Sequence, residues 1–186
     1  MLTIKTLIAA LLLSISYYSQ AVDSYIDTPT QKASELVKKY TLTDDEADKK
    51  EALEGLRALS TQNPNNVNII RIYSNVLSST GAYSQAISLL HEFNQQYINP
   101  SLMLNECMLK DRMGDYDLSC YKNVITLKRS ENAHDIDYLM ALFLTEDKNF
   151  EKEKDAYIKW RQNKDDLDAF SHGKSALLNE LFPDLK

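Results

Sequence analysis

Glycine and proline are scarce in this chain, with only four of each among 186 residues. All-β proteins need many turns and build them largely from these two residue types. Leucine, alanine, lysine, glutamate and glutamine, which favour helices, occur throughout the sequence instead. The composition therefore predicts an all-α protein whose helices are joined by short loops.

Clustered positive charge is also missing, and the formal net charge is −6. Nucleic-acid binding requires clusters of lysine and arginine that neutralise phosphates. An anionic membrane surface attracts the same residue types. We therefore expect neither a nucleic acid nor a membrane surface as the partner. The acidity does not identify a basic partner, because many proteins are acidic for solubility alone.

The motifs that carry catalysis or hold metals are absent from the sequence. Its four glycines are isolated, which excludes a phosphate-binding loop, and no G-x-S-x-G elbow occurs. None of the three histidines, among them His91, lies at a zinc-ligand spacing from another histidine or a cysteine. The acidic clusters at residues 44–48 and 151–155 lack the central glycine of a calcium loop. We expect no metal, no cofactor and no enzymatic activity; an enzyme is an alternative only if carboxylates converge in a cleft.

The N-terminal segment, residues 1–21, has the pattern of a secretory signal peptide. Lys5 precedes an apolar run over residues 7–18, and the following Ser19-Gln20-Ala21 places small residues at positions −3 and −1 of a cleavage site. An uncleaved anchor is the alternative, but the run is shorter than the roughly 20 apolar residues of a membrane span. Cleavage would leave a mature chain that begins at Val22, has a net charge of −7 because Lys5 is lost, and keeps no membrane anchor. We expect an exported protein, periplasmic if the source is a Gram-negative bacterium.

One segment, residues 67–100, has the pattern of a helical hairpin. Apolar residues recur at helical spacing in both halves, first as Ile69, Ile70, Tyr73, Val76 and Leu77, then as Tyr83, Ala86, Ile87, Leu90 and Phe93. A turn at residues 79–82 separates the halves, and Asn99-Pro100 closes the unit.

The turn and second helix of this unit, residues 81–87 with the sequence GAYSQAI, resemble the G-x-Y-x-x-A-I core of a tetratricopeptide repeat. The resemblance implies that Ala86 lets two helices approach closely, that a tyrosine lies at the turn, and that a proline follows the second helix. Ala52 lies 34 residues before Ala86, and similar turns recur at residues 114–117 and 149–150. Such a period is the signature of stacked helical hairpins.

We therefore predict an all-α, tetratricopeptide-like α-solenoid of antiparallel hairpins over residues 31–186, preceded by a polar arm at residues 22–30. The other three hairpins are expected at residues 31–62, 101–129 and 133–162. An unrelated helical bundle is the alternative, because any amphipathic hairpins show similar apolar faces.

The ends of this helical domain carry further signals. The first hairpin should begin with a short helix at residues 31–40, and a capping box at residues 43–46 should open its second helix. A terminal helix at residues 172–182 should cap the open end of the stack, since the last repeat has no neighbour to cover it.

Two cysteines, Cys107 and Cys120, lie 13 residues apart across the turn of the third hairpin. Disulfides persist in exported proteins, and two helices of one hairpin can be bridged if the Cα atoms come within about 7 Å. We predict this disulfide, with two buried free thiols as the alternative. A redox-active pair would more often have the C-x-x-C spacing.

In the family that the chain resembles, the first helix of each hairpin lines a concave side that binds peptides or helices. The candidate contacts are the residues of these helices that point away from the hairpin core, namely Asn68, Arg71, Asn75, Ser78, Asn105, Leu109 and Arg112. Amide and guanidinium groups bind peptide backbone and carboxylates, although plain solvated surface also accounts for any one of them. We predict a non-enzymatic module that binds another protein or peptide. An immunity protein that neutralises an envelope-targeted toxin is the alternative.

Overall fold

The computed structural model describes residues 26–161 and 165–184, which contain helices and loops and no strand. Helices of three or more turns dominate, in the order α1 (Thr28–Leu42), α2 (Glu46–Gln62), α3 (Val67–Ser79), α4 (Tyr83–Gln96), α5 (Pro100–Arg112), α6 (Leu118–Ser130), α7 (Ile136–Leu144) and α8 (Phe150–Arg161), followed by a 3-10 helix (Asp165–Phe170) and the short α9 (Lys174–Leu181). The predicted all-α class is therefore confirmed. The predicted signal peptide lies outside the described residues.

Short polar side chains set the start of most of these helices. Aspartate or asparagine oxygens accept hydrogen bonds from the first free backbone N–H groups of six helices, the caps being Asp27, Asp45, Asn66, Asn99, Asp117 and Asp135. The prediction of a capping box at residues 43–46, with Thr43 as the cap, was wrong. Asp45, not Thr43, caps α2, because its carboxylate reaches the N–H groups of both Ala47 (2.7 Å) and Asp48 (3.2 Å).

The predicted boundaries hold in the middle of the chain and shift at its start. Helix α1 begins at Thr28 behind its cap Asp27, so it includes three residues that we expected in the polar arm. The turn of the second hairpin lies at residues 80–82, one residue shorter than the expected 79–82 because Ser79 still belongs to α3, and Gly81 there has φ 74°. Pro100 opens α5 at its first turn and does not end α4, which stops at Gln96.

The helices pack in adjacent pairs, α1 with α2, α3 with α4, α5 with α6, and α7 with α8. Each pair also contacts the next along the chain, and α1 touches α3 while α5 touches α7. Ala52 and Ala86 are fully buried. At Gly55 the helices come so close that an added Cβ would lie 2.9 Å from a methyl group of Leu36. These small residues therefore allow neighbouring helices to pack closely against one another around a shared hydrophobic core.

The last helix does not lie where we expected it. Helix α9 contacts α5 of the third pair and the 3-10 helix that precedes it. Phe170 of that 3-10 helix packs against the rings of Phe143 and Phe150, at centroid distances of 5.1 and 5.4 Å. This aromatic cluster turns the chain back, so that Leu177 and Leu178 of α9 are buried in the common core.

Within the described part of the chain, no helix is both long and apolar enough to span a membrane.

Candidate functional site

Four of the predicted partner contacts lie together on α3 and α5. Asn68, Arg71 and Asn75 are exposed on α3, and Asn105 is half-buried on α5. Asn105 Nδ2 donates to Asn75 Oδ1 across the two helices (3.4 Å), and Arg71 Nη1 donates to Asn68 Oδ1 (3.3 Å). We call these four residues the amide row.

The sequence of α3 explains why the amide row is presented to solvent. Positions 68, 71 and 75 follow the three- and four-residue spacing of a single helix stripe. Buried apolar side chains occupy the other faces of α3, among them Ile69, Ile70, Tyr73, Val76 and Leu77. The amides offer donors and acceptors, and Arg71 forms no ion pair within the described residues. The row can therefore hydrogen-bond a peptide backbone and receive a carboxylate.

Two other predicted contacts are buried, which corrects their assignment to a solvent-facing groove. Leu109 is fully buried, and Ser78 is 7% exposed. The Ser78 hydroxyl donates to the carbonyl of Ser74 (2.8 Å), so its donor is already used. Helix α5 contacts α4, α6, α7 and α9, which explains why Leu109 lies in the core although it is off the expected inward stripe. The apolar residues on several faces of α5 were the sequence signal for this burial.

The last predicted contact, Arg112, is held by the chain itself. Its side chain is only 15% exposed. The Nε group donates to the carbonyl of Phe182 (2.7 Å), and Nη2 lies 2.6 Å from a carboxylate oxygen of Asp184. We expected an exposed guanidinium free for a partner, and the structure shows one that already binds a carbonyl and a carboxylate.

Tyr83 contacts the same C-terminal residues as Arg112. The sequence analysis did not predict Tyr83 as a contact residue. Its ring meets the ring of Phe182 edge-on, at a centroid distance of 6.1 Å, and its hydroxyl donates to the carbonyl of Pro183. We call Tyr83 and Arg112 the Tyr–Arg site, and residues 182–184 the docked segment. No local signal could reveal the contact, because 70 to 100 residues separate the partners.

A buried carboxylate links α4 to α5 near the amide row. Glu106 has a side chain 7% exposed and receives hydrogen bonds from Asn94 (2.8 Å) and Lys110 (2.5 Å), while His91 Nδ1 lies 2.8 Å from it. Burial alone would raise the pKa of Glu106, but these contacts outweigh it and hold the pKa below its usual range. His91 thus belongs to a structural network.

A second buried charge joins α6 to α7. Lys128 Nζ lies 2.7 Å from Asp135 and 3.2 Å from Asp137, and it is 3.4 Å from the Ser101 hydroxyl of α5. Burial alone would lower the pKa of Lys128, but the two carboxylates raise it above its usual value. The network fixes three helices to one another.

The two cysteines lie at disulfide distance, as predicted. The Cys107 and Cys120 sulfurs are 1.93 Å apart, and the Cα atoms are 5.8 Å apart. The bridge ties α5 to α6, and therefore ties the helix that carries Asn105 and Arg112 to its neighbour. Among the described residues, no cluster of three or more histidine, cysteine, aspartate or glutamate side chains could hold a metal ion.

No protein-family model, curated protein or solved structure matches this chain. The resemblance to tetratricopeptide repeats therefore rests on the sequence period and on the helix pairs.

Proposed function

We propose that this chain is a non-enzymatic protein–protein interaction module of the cell envelope, which binds another protein or peptide through the α3–α5 face. The amide row is the observation that carries this proposal. Three of its side chains are exposed and Asn105 is half-buried, on helices whose other faces are buried, so the row contributes little to core packing.

We further infer that the helix pairs form a tetratricopeptide-like solenoid, in which α1, α3, α5 and α7 line the concave side. The contacts of α1 with α3 and of α5 with α7 support this arrangement, because first helices of successive repeats are neighbours in such a stack. The amide row then lies on the concave side. Hydrogen bonds from Asn68, Asn75 and Asn105 can follow an extended peptide backbone, and Arg71 can bind a carboxylate with two donors.

The second candidate function is an immunity protein that neutralises an envelope-targeted toxin. The acidity of the chain favours it, because the net charge would be −7 after removal of residues 1–21. Such a charge would accelerate association with a basic toxin and would make that rate fall with salt. An adaptor with a neutral partner would show little salt dependence, which separates the two functions.

The test places a photoreactive amino acid at position 71 in one variant and at position 88 in another. Ser88 is exposed on α4, a second helix, and serves as the matched control. The partner should crosslink at position 71 and not at position 88.

Arg71→Ala should then weaken partner binding by about fivefold or more, the loss that marks an important interface residue. Arg57→Ala is the control, because Arg57 is an exposed arginine on α2. Titration calorimetry measures both variants. Equal affinity for wild type and Arg71→Ala would contradict the assignment of the partner to the α3–α5 face.

A further inference from the structure

The docked segment binds the Tyr–Arg site in the way that a separate peptide would. Two successive carbonyls, those of Phe182 and Pro183, accept hydrogen bonds from Arg112 and Tyr83. The Phe182 side chain is buried, 6% exposed, with its ring against Tyr83. Asp184 adds a carboxylate at 2.6 Å from Arg112. The segment thus presents three kinds of group that peptide-binding sites recognise, namely a buried aromatic ring, two backbone carbonyls and a carboxylate.

The docked segment follows directly on α9 but is not helical, although the Phe182 N–H still donates to the carbonyl of Leu178 (2.9 Å). Helix α9 ends at Leu181, and Phe182 has φ −134° and ψ 77°, outside the helical region. Pro183 has no N–H group and cannot continue a helix. Residues 182–184 therefore bend away from α9 as a short non-helical segment that reaches the Tyr–Arg site.

The acidic end of the docked segment is open to solvent, whereas its aromatic end is buried. Asp184 has a side chain that is 84% exposed, so its ion pair with Arg112 is screened by water. The segment is held by the buried Phe182 ring, two carbonyl contacts, this exposed pair and a backbone hydrogen bond from the Phe182 N–H to the Leu178 carbonyl (2.9 Å). A tethered group is nevertheless present at an effective concentration in the millimolar range, which favours it over a free competitor of equal affinity.

We propose that the Tyr–Arg site is a peptide-binding site for a partner segment in which an aromatic residue is followed, two positions later, by an acidic residue. The docked segment is the intramolecular competitor that occupies this site until such a partner displaces it. This inference rests on the proposed function only in requiring a protein partner. It uses Tyr83 and Arg112 and does not depend on the amide row.

The test measures binding of a fluorescein-labelled peptide with the sequence of residues 179–184, NELFPD, by fluorescence anisotropy on the full chain. In the double variant Phe182→Ala/Asp184→Ala the competitor is disabled, so the peptide should bind at least tenfold tighter than to wild type. Adding Arg112→Ala to the double variant should abolish this gain. The control peptide NELAPA keeps the glutamate but lacks the Phe182 ring and the Asp184 carboxylate, and it should bind neither protein.

A milder variant covers the case in which the double variant does not fold. Asp184→Asn changes an exposed side chain and leaves Phe182 in place, so the fold is kept. It should raise the affinity for NELFPD about twofold or threefold.

Three results would overturn the proposal. One is that NELFPD does not bind to the folded double variant or, if the double variant does not fold, to the Asp184→Asn variant. Another is binding that persists when Arg112 is alanine. The third is a wild-type dimer, detected by light scattering, that becomes monomeric in the double variant, since the segment would then join two copies. The Arg71→Ala titration tests only the amide row, and the NELFPD experiment tests only the Tyr–Arg site. The failure of one proposal can therefore be distinguished from the failure of the other.

Discussion

Replacing Lys128 with methionine should destabilise the protein more than any other substitution of a single charge that we describe. Methionine keeps most of the length of the lysine stem and removes only the ammonium group. That group is buried, with a side chain 5% exposed, and it touches Asp135 at 2.7 Å and Asp137 at 3.2 Å. Without it, the two carboxylates face each other with no compensating charge.

The size of the effect follows from the burial of each partner. Removing one member of a fully buried ion pair costs about 3–5 kcal/mol, because the remaining charge is left unpaired. Asp135 and Asp137 are 35% and 32% exposed, so water partly compensates them. We therefore expect a loss of about 2–3 kcal/mol. For a chain of this length that corresponds to a fall of roughly 5–10 °C in the melting temperature.

The assay is thermal unfolding followed by circular dichroism at pH 7, with urea denaturation to give the free energy of unfolding. Lys122→Met is the matched control, because Lys122 is exposed on the same helix. The pKa of Lys128 is raised above its ordinary value of 10.5. Its contribution is therefore fully present below that value and is lost only as the pH rises through the raised pKa. The difference between wild type and Lys128→Met should stay constant from pH 6 to pH 9. A loss below about 1 kcal/mol, or one equal to that of Lys122→Met, would show that the buried ammonium group does not stabilise the fold.

Three further predictions address the other charge network, the disulfide and export. Glu106→Gln should cost about 1–3 kcal/mol at pH 7, because the lowered pKa of Glu106 stabilises the fold above its ordinary value of 4.5. That contribution is lost as the pH falls from 4.5 through the lowered pKa, so urea denaturation at pH 3.5 should show a smaller difference between variant and wild type; an unchanged difference would contradict the assigned role. Reducing the Cys107–Cys120 bridge should lower the free energy of unfolding by roughly 3 kcal/mol, as expected for a closed loop of this size. Both cysteines should resist thiol labelling in denaturant until a reductant is added, and labelling without reductant would show that the bridge is absent. N-terminal sequencing of the exported protein should begin at Val22, whereas a product that retains Met1 would count against a cleaved signal peptide.

The helices could be predicted from the amino-acid sequence, because the signals for them are local. The apolar spacing of residues 69–77 and 83–93 set α3 and α4, and the glycine at 81 marked the turn between them. Aspartate and asparagine caps lie within three residues of the backbone groups that they satisfy. The cysteine pair was predictable for a similar reason, since a hairpin brings Cys107 and Cys120 to facing helices.

The candidate site was predictable in part. Asn68, Arg71 and Asn75 lie on a stripe of α3 that the core does not use, and the pattern of one helix is enough to show it. Leu109 could not be placed in the same way. Its burial depends on helices that pack on α5 from several sides.

The contacts of the 3-10 helix, α9 and residues 182–184 could not be predicted from the sequence. The aromatic contacts of Phe170 direct α9 back onto α5, so the helix that should cap the stack lies against the third pair. Arg112 and Tyr83 consequently bind residues 182–184, from which they are separated by 70 and 100 positions. A periodic pattern reports which face of a helix is apolar, and it carries no information about which distant segment covers that face. That choice depends on the packing of the whole core.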